Sequence, residues 1–228
     1  MFAFPLDRRM RTCGNSGFCR LAPHYLKLEE LVFGSALQDA RVAHLESCSP
    51  DSKFLLLGEG HGRFLESLLA IHPQAIATVC DKSFSMLTST YNRLPKESVK
   101  NVHLLQLQVM NLEFPPKSFD VLVTHFFLDC FDSETLDRLI PKLCHYLKDG
   151  GSWLIADFEE SRKKSFTCRL QRLFLRCLYF FFRSTCGISA SRIVPPGIIL
   201  RQSGMIETER TSYCHGLIYS GLWKKSSS

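Results

Sequence analysis

The stretch Phe54-Leu55-Leu56-Leu57-Gly58-Glu59-Gly60-His61-Gly62-Arg63-Phe64-Leu65 decides how this 228-residue chain folds. Its apolar run has the length and character of a buried strand. Three glycines follow at alternate positions, and apolar residues then recur at helical spacing. A strand that passes through a glycine turn into a helix is the opening unit of an α/β fold. Glycines in that turn remove the Cβ atoms that would hold a ligand away from the backbone. The helix start behind them offers unpaired N–H groups and a partial positive potential. An α/β protein would hold a nucleotide-like cofactor there; the alternative is a tight β–α turn with no ligand.

The alternation continues outward from that stretch. A helix is expected over Arg63–Ile71, a second strand over 75–80 ending at Asp81, and a helix over 83–94 capped by Ser83. Residues 102–107 and 119–124 are strand-like, the latter after a Pro115-Pro116-Lys117-Ser118 turn. A helix over 133–147, a Lys148-Asp149-Gly150-Gly151 turn and a fifth strand over 152–158 follow. Strands separated by helices imply parallel pairing, and right-handed crossovers then give a doubly wound sheet. Residues 205–214 and 217–224 form an expected antiparallel hairpin at the sheet edge. The fold class is therefore α/β, with a doubly wound, mostly parallel sheet and a C-terminal antiparallel hairpin. Residues 1–50 are expected to form a helical arm, in which Leu21, Tyr25, Leu28, Leu31 and Val32 recur at helical steps. Residues 51–228 make the main domain, with a basic, aromatic lid insertion at about 160–204 and a loop-rich stretch over 188–204.

Composition narrows the class. Hydrophobic residues make up 45% of the chain and charged residues 22%, which argues against disorder. The ten cysteines include no C-x-x-C pair, so no zinc ribbon or other metal site is expected, and a reducing cytoplasm is the expected compartment. The first nine residues lack the apolar core of a secretory signal. Nine arginines and lysines fall between residues 161 and 206 with no acid among them. Because the net charge is only +6, the rest of the chain is mildly acidic.

The loop spacing distinguishes between cofactors. A dinucleotide fingerprint needs glycines at positions one, three and six, and here the sixth is Arg63. That disfavours a nicotinamide dehydrogenase. Asp81, at the end of the second strand, can accept both ribose hydroxyls of an adenosine, or can serve as an acid before the Ser83 helix.

Four stretches in this order resemble the Rossmann-like, class I S-adenosylmethionine-dependent methyltransferases. They are Leu57-Gly58-Glu59-Gly60-His61-Gly62, Cys80-Asp81-Lys82-Ser83, Phe114-Pro115 through Val123, and Leu147-Lys148-Asp149-Gly150-Gly151-Ser152-Trp153-Leu154-Ile155. The arm Phe18-Cys19-Arg20-Leu21-Ala22-Pro23-His24-Tyr25 looks like the start of the quinone-biosynthesis C-methyltransferases and their relatives. The resemblance implies S-adenosylmethionine as cofactor, held by Gly58, Glu59, Gly60, Gly62, Asp81, Lys82, Gln108, Val109 and Thr124. Two positions depart from the family pattern. Leu56 stands where an acid often precedes the first glycine, and Gln108 stands where an acid often reads the adenine. Glu59 is a substitute for the first, or points to solvent; the Gln108 amide oxygen is a substitute for the second, or is an exposed loop residue.

Methyl transfer from a sulfonium needs an acceptor held in line in a dry pocket, and a base only where the acceptor must lose a proton. Thr124-His125-Phe126-Phe127-Leu128-Asp129 follows the fourth strand and faces that space. His125 is the expected general base, and Asp129 is expected to orient it or to bind the acceptor, with a turn-capping role for both as the alternative. His24, Tyr25 and Phe126 are the expected acceptor contacts. The expected reaction is O- or C-methylation of a small, lipophilic or aromatic molecule. A non-catalytic cofactor-binding scaffold and an RNA methyltransferase using the basic segment are the alternatives. Residues 166–183 combine arginines with aromatics and are expected to contact a membrane surface or to act as a lid, with a core helix as the alternative; a nucleic-acid partner is disfavoured.

Overall fold

The computed structural model describes residues 32–160, 166–186, 190 and 192–226. Seven strands form one sheet: β1 (Lys53–Leu57), β2 (Ile76–Asp81), β3 (Val102–Gln106), β4 (Phe119–His125), β5 (Leu147–Phe158), β6 (Met205–Tyr213) and β7 (Ile218–Lys225). Their order is β3-β2-β1-β4-β5-β7-β6. The first five pair in parallel, and β7 runs antiparallel between β5 and β6. The order reverses between β1 and β4, and at such a switch point the connections leave to opposite faces and open a crevice.

Both faces are covered, as expected of a parallel sheet. Helices α1 (Ala36–Val42), α2 (Arg63–Ile71) and α3 (Phe84–Arg93) precede the crossover, and α4 (Ser133–Tyr146) follows it. Phe64, Leu65 and Leu68 of α2 and Leu87 of α3 bury one side of β1 and β4 through Phe54, Leu56, Val121 and Val123. Leu136, Leu139, Ile140 and Leu143 of α4 bury the other through Leu55, Leu57 and Leu122. A third cluster joins α1 to α5 (Phe166–Cys186) through Leu37, Ala40, Leu175 and Tyr179, over Ala156, Phe158 and Ile218. Burying side chains of this size is worth about 1.5–3 kcal/mol each, so these clusters supply the main drive to fold.

Several local expectations shift. β5 begins at Leu147, before the Gly150-Gly151 pair, with an irregularity in its register to β4. Ion pairs of Lys148 with Asp120 and of Lys117 with Asp149 tie that stretch beside β4. The stretch expected to be loop carries a short helix, α6 (Gly197–Gln202), whose Leu200 enters the α4 cluster. α4 is capped by Asp132, which accepts the Thr135 N–H at 2.9 Å. Most of the expected N-terminal arm, including His24 and Tyr25, lies outside the described residues.

Candidate active site

The loop after β1 is held from three directions. Gly58, Gly60 and Gly62 have φ of 67°, 67° and 79°, a left-handed backbone that glycine adopts without strain. A Cβ on Gly58 would lie 2.3 Å from the Phe127 ring, and one on Gly62 would lie 3.0 Å from the Thr90 backbone. A Cβ on Gly60 would meet no described residue within 4 Å. Among the described residues the loop is thus open at Gly60 and closed on either side. From α3, Thr90 donates to the Gly60 carbonyl and Arg93 Nε to the His61 carbonyl, each at 2.9 Å.

Glu59 turns inward. Its Oε1 accepts the N–H groups of Phe64 and Leu65 at 2.9 and 3.0 Å. It therefore caps α2, whose start is Gly62 and offers no side-chain cap of its own. The expected unpaired N–H groups at that helix start are accordingly occupied, and Glu59 points neither to solvent nor along β1. Burial pushes its carboxyl up to about 7, against the pull of those two N–H groups and the charge of Arg41.

Asp81 ends β2 beside this loop. Its Oδ1 accepts the Ser83 N–H at 2.7 Å, and the Gly60 and Lys82 N–H groups also face the carboxyl. Burial raises it to about 6, and the N–H groups oppose that shift. Asp81 and Ser83 therefore share the corner, with Ser83 capping α3 through the Met86 N–H. An open cradle over Gly60 next to a half-buried carboxyl suits an adenosine ribose.

The remaining expected cofactor contacts scatter. Lys82 and Gln108 are exposed at the same rim. Val109 is buried in the α4 cluster. Thr124 is fully buried, and its hydroxyl accepts the Trp153 indole N–H at 2.9 Å, so its side chain belongs to the core instead of the crevice.

His125 and Asp129 do not meet. Along β4 the side chains alternate, and His125 falls on the α2 face, edge-on to Phe64 with ring centroids 4.7 Å apart. Both of its ring nitrogens are buried with no hydrogen-bond partner among the described residues. Burial, then the charges of Arg41 and His44, hold it well below the ordinary histidine range, so it stays neutral. A buried base with neither ring nitrogen hydrogen-bonded is poorly placed to take an acceptor's proton. Phe126 next to it has φ of 52°, a strained conformation for a bulky residue. Its ring lies under the Arg41 guanidinium at 5.1 Å and against Phe158 at 5.3 Å.

The turn at Phe126 brings the Phe127 N–H onto Asp157 Oδ1 at 3.0 Å and buries Asp129, whose Oδ2 accepts the Tyr179 hydroxyl at 2.8 Å. Asp157 and Tyr179 were not among the expected site residues. The signal for Asp157 was an acid closing an apolar strand at its carboxyl end, in Ile155-Ala156-Asp157-Phe158. Tyr179 had no such signal among its aromatic neighbours.

Residues 54–151 match the family model described as a methyltransferase domain. A malonyl-[acyl-carrier protein] O-methyltransferase of a Paenibacillus species is 30% identical over 111 residues, covering 47% of this chain. The chain spans 39% of that relative's length. An O-methyltransferase family protein from Burkholderia thailandensis superposes with a TM-score of 0.68 at 16% identity, covering 92% of this chain and 60% of that one. A SAM-dependent methyltransferase from Methanosarcina mazei gives a TM-score of 0.59 at 16% identity, covering 80% and 96%. Strand order and superposition give a Rossmann-like fold shared with these methyltransferases, and residues 54–151 within it carry the methyltransferase-domain match.

Proposed function

We propose that this protein methylates the oxygen of a small lipophilic or aromatic acceptor, using S-adenosylmethionine. The observation that carries the reading is the open cradle over Gly60 beside Asp81, at the switch point of the sheet. Gly60 lets the cofactor approach the backbone, with Gly58 and Gly62 allowing the left-handed turn, Asp81 takes the ribose hydroxyls, and Gln108 lies toward the adenine. The bound cofactor supplies a methyl group already activated by its sulfonium charge. The protein's own task is to exclude water and hold the acceptor in line.

Oxygen as the methylated atom is supported by the two relatives that carry O-methyltransferase in their names. A lipophilic acceptor is supported by the aromatic side chains of Phe126, Phe127, Phe131 and Phe158 near the crevice. The outward face of α5 supports it too. Leu170, Leu173 and Phe180 are exposed there, with Arg169, Arg176 and Arg183 along one edge. That combination suits an anionic lipid surface from which such an acceptor is drawn. Among the described residues no helix is long and apolar enough to cross a membrane. The reading includes a cytoplasmic setting, in which the free thiols of Cys48, Cys80, Cys130 and Cys144 stay reduced.

Transfer of labelled methyl from S-adenosylmethionine to a panel of phenols, carboxylic acids and quinols tests the reading. The expected product is a methyl ether or ester. Binding of S-adenosylhomocysteine with no transfer to any acceptor would instead favour a non-catalytic scaffold. Vesicles rich in phosphatidylglycerol should retain the protein at low salt and those of phosphatidylcholine should not. Retention on RNA alone would contradict the lipid reading.

A further inference from the structure

Two carboxyl groups with no part in holding the cofactor meet at the ends of β4 and β5. Asp129 is 6% exposed and Asp157 2%. Asp157 Oδ1 takes the Phe127 N–H, and Asp129 Oδ2 takes the Tyr179 phenol. The other two oxygens, Asp129 Oδ1 and Asp157 Oδ2, are buried and make no regular hydrogen bond among the described residues. The Cys130 thiol and the Asp129 and Cys130 N–H groups nevertheless face the first carboxyl, and the Phe126 and Asp129 N–H groups face the second. Neither acid forms an ion pair with a described residue. A buried acceptor left unpaired is costly, so these two oxygens mark a place that favours hydrogen donors.

Burial raises Asp129 to about 6, with the Tyr179 hydrogen bond opposing. Burial, and then the charge of Asp129, raise Asp157 well above the carboxylate range. Like charges in such surroundings disfavour each other's ionisation, so the pair holds a proton more readily than free carboxyls do.

The pair stands one residue away from the glycine loop. Phe127 covers Gly58 with its ring and bonds Asp157 with its amide. Phe131 meets the Phe127 ring edge-on, with centroids 5.1 Å apart. Tyr179 reaches the site from α5, fifty residues further along the chain, and lays a phenolic hydroxyl on the carboxylate. The surroundings therefore already accommodate an aromatic ring bearing an O–H.

We propose that the Asp129–Asp157 pair anchors the acceptor, that its ligand is a phenol or similar aromatic hydroxyl, and that the Tyr179 hydroxyl holds that position until the acceptor displaces it. This deepens the proposed function and rests on it for the identity of the second substrate.

The test is direct binding of 4-nitrophenol, followed by its absorbance at mildly acidic pH, where the probe keeps its proton. It is run on the whole chain with and without S-adenosylhomocysteine. Two ring analogues serve as controls: 4-nitroanisole, which has no O–H, and 4-nitrobenzylamine, which is cationic. In the wild-type protein the phenol should bind at least about tenfold more tightly than either control. Asp157→Asn and Asp129→Asn should weaken phenol binding by about tenfold or more while leaving S-adenosylhomocysteine binding within about threefold. Tyr179→Phe should bind the phenol several-fold more tightly, because its competitor is gone. The proposal is overturned if the anisole or the amine binds as well as the phenol, if no phenol binds, or if Tyr179→Phe weakens it. Wild-type discrimination decides the matter even where an aspartate variant fails to fold. Selective phenol binding without S-adenosylhomocysteine binding would remove the proposed function and leave the phenol site standing.

Discussion

The two halves of the crevice are built by different means. On the cofactor side, the β1 and β2 ends are shaped by the backbone: three left-handed glycines, a capped helix and a carboxyl tied to neighbouring N–H groups. On the acceptor side, the β4 and β5 ends are shaped by side chains from three distant segments, with Asp129, Asp157 and Tyr179 converging in a buried cluster. The first kind of site binds a constant ligand through features any member of the fold can share. The second is where one chain can differ from another in what it takes, since side chains change without disturbing the strands.

The largest effect that would break this contrast is at Gly58. Gly58→Ala places a Cβ against the Phe127 ring and forces alanine into a left-handed conformation, costing about 3 kcal/mol. Because Phe127 links the two sides, both S-adenosylhomocysteine and phenol binding should collapse, as calorimetry would show. Gly60→Ala, with open space around it, should cost only about 1–2 kcal/mol of stability by denaturant unfolding while losing cofactor affinity. Equal losses of stability in the two variants would show that the loop is closed by something other than Phe127.

Next comes Asp81→Ala, expected to weaken S-adenosylhomocysteine by about ten- to a hundredfold and to leave phenol binding in place. Loss of both would mean that the two sides are one cooperative unit.

A smaller effect, of opposite sign, is expected at His125. Its two buried, unpaired nitrogens should make His125→Leu more stable by about 1 kcal/mol, or a few degrees in Tm. A more stable variant that loses methyl transfer with cofactor binding intact would return His125 to the chemistry.

The smallest effect is a pH slope. Glu59 is raised in the folded protein from the ordinary 4.5 to about 7, so the folded state binds the extra proton between those values. Stability from this group is full below about 4.5 and declines as pH rises through about 7. Glu59→Gln keeps an oxygen for the Phe64 and Leu65 N–H groups and should flatten that part of the Tm–pH curve. An unchanged slope would place the proton on Asp81 or Asp129 instead.

The cofactor side was legible because its determinants are local. Gly58, Gly60 and Gly62 announce their turn within five residues, and Ser83 announces the α3 start. α2 begins and ends where its apolar spacing says, at Arg63 and Ile71. The braces from Thr90 and Arg93 were not legible, since they lie a helix away from the carbonyls they hold. On the acceptor side, His125 and Asp129 are four residues apart in sequence yet take different partners, Phe64 for one and Tyr179 for the other, with Phe126 in a left-handed conformation between them. Asp157 has a local signal as an acid closing a strand, whereas Tyr179 enters only through tertiary contact. Local spacing carries turns and helix limits; the pairing of buried acids depends on strand order, which spacing does not encode.

Titration of the purified chain with S-adenosylhomocysteine, alongside Asp81→Ala and with NADH as a control, is the most direct test of a cofactor site built on the glycine loop. Micromolar binding of S-adenosylhomocysteine alone, weakened in the variant, is the predicted result. A folded protein that binds NADH, or binds S-adenosylhomocysteine equally with and without the Asp81 carboxyl, would contradict it.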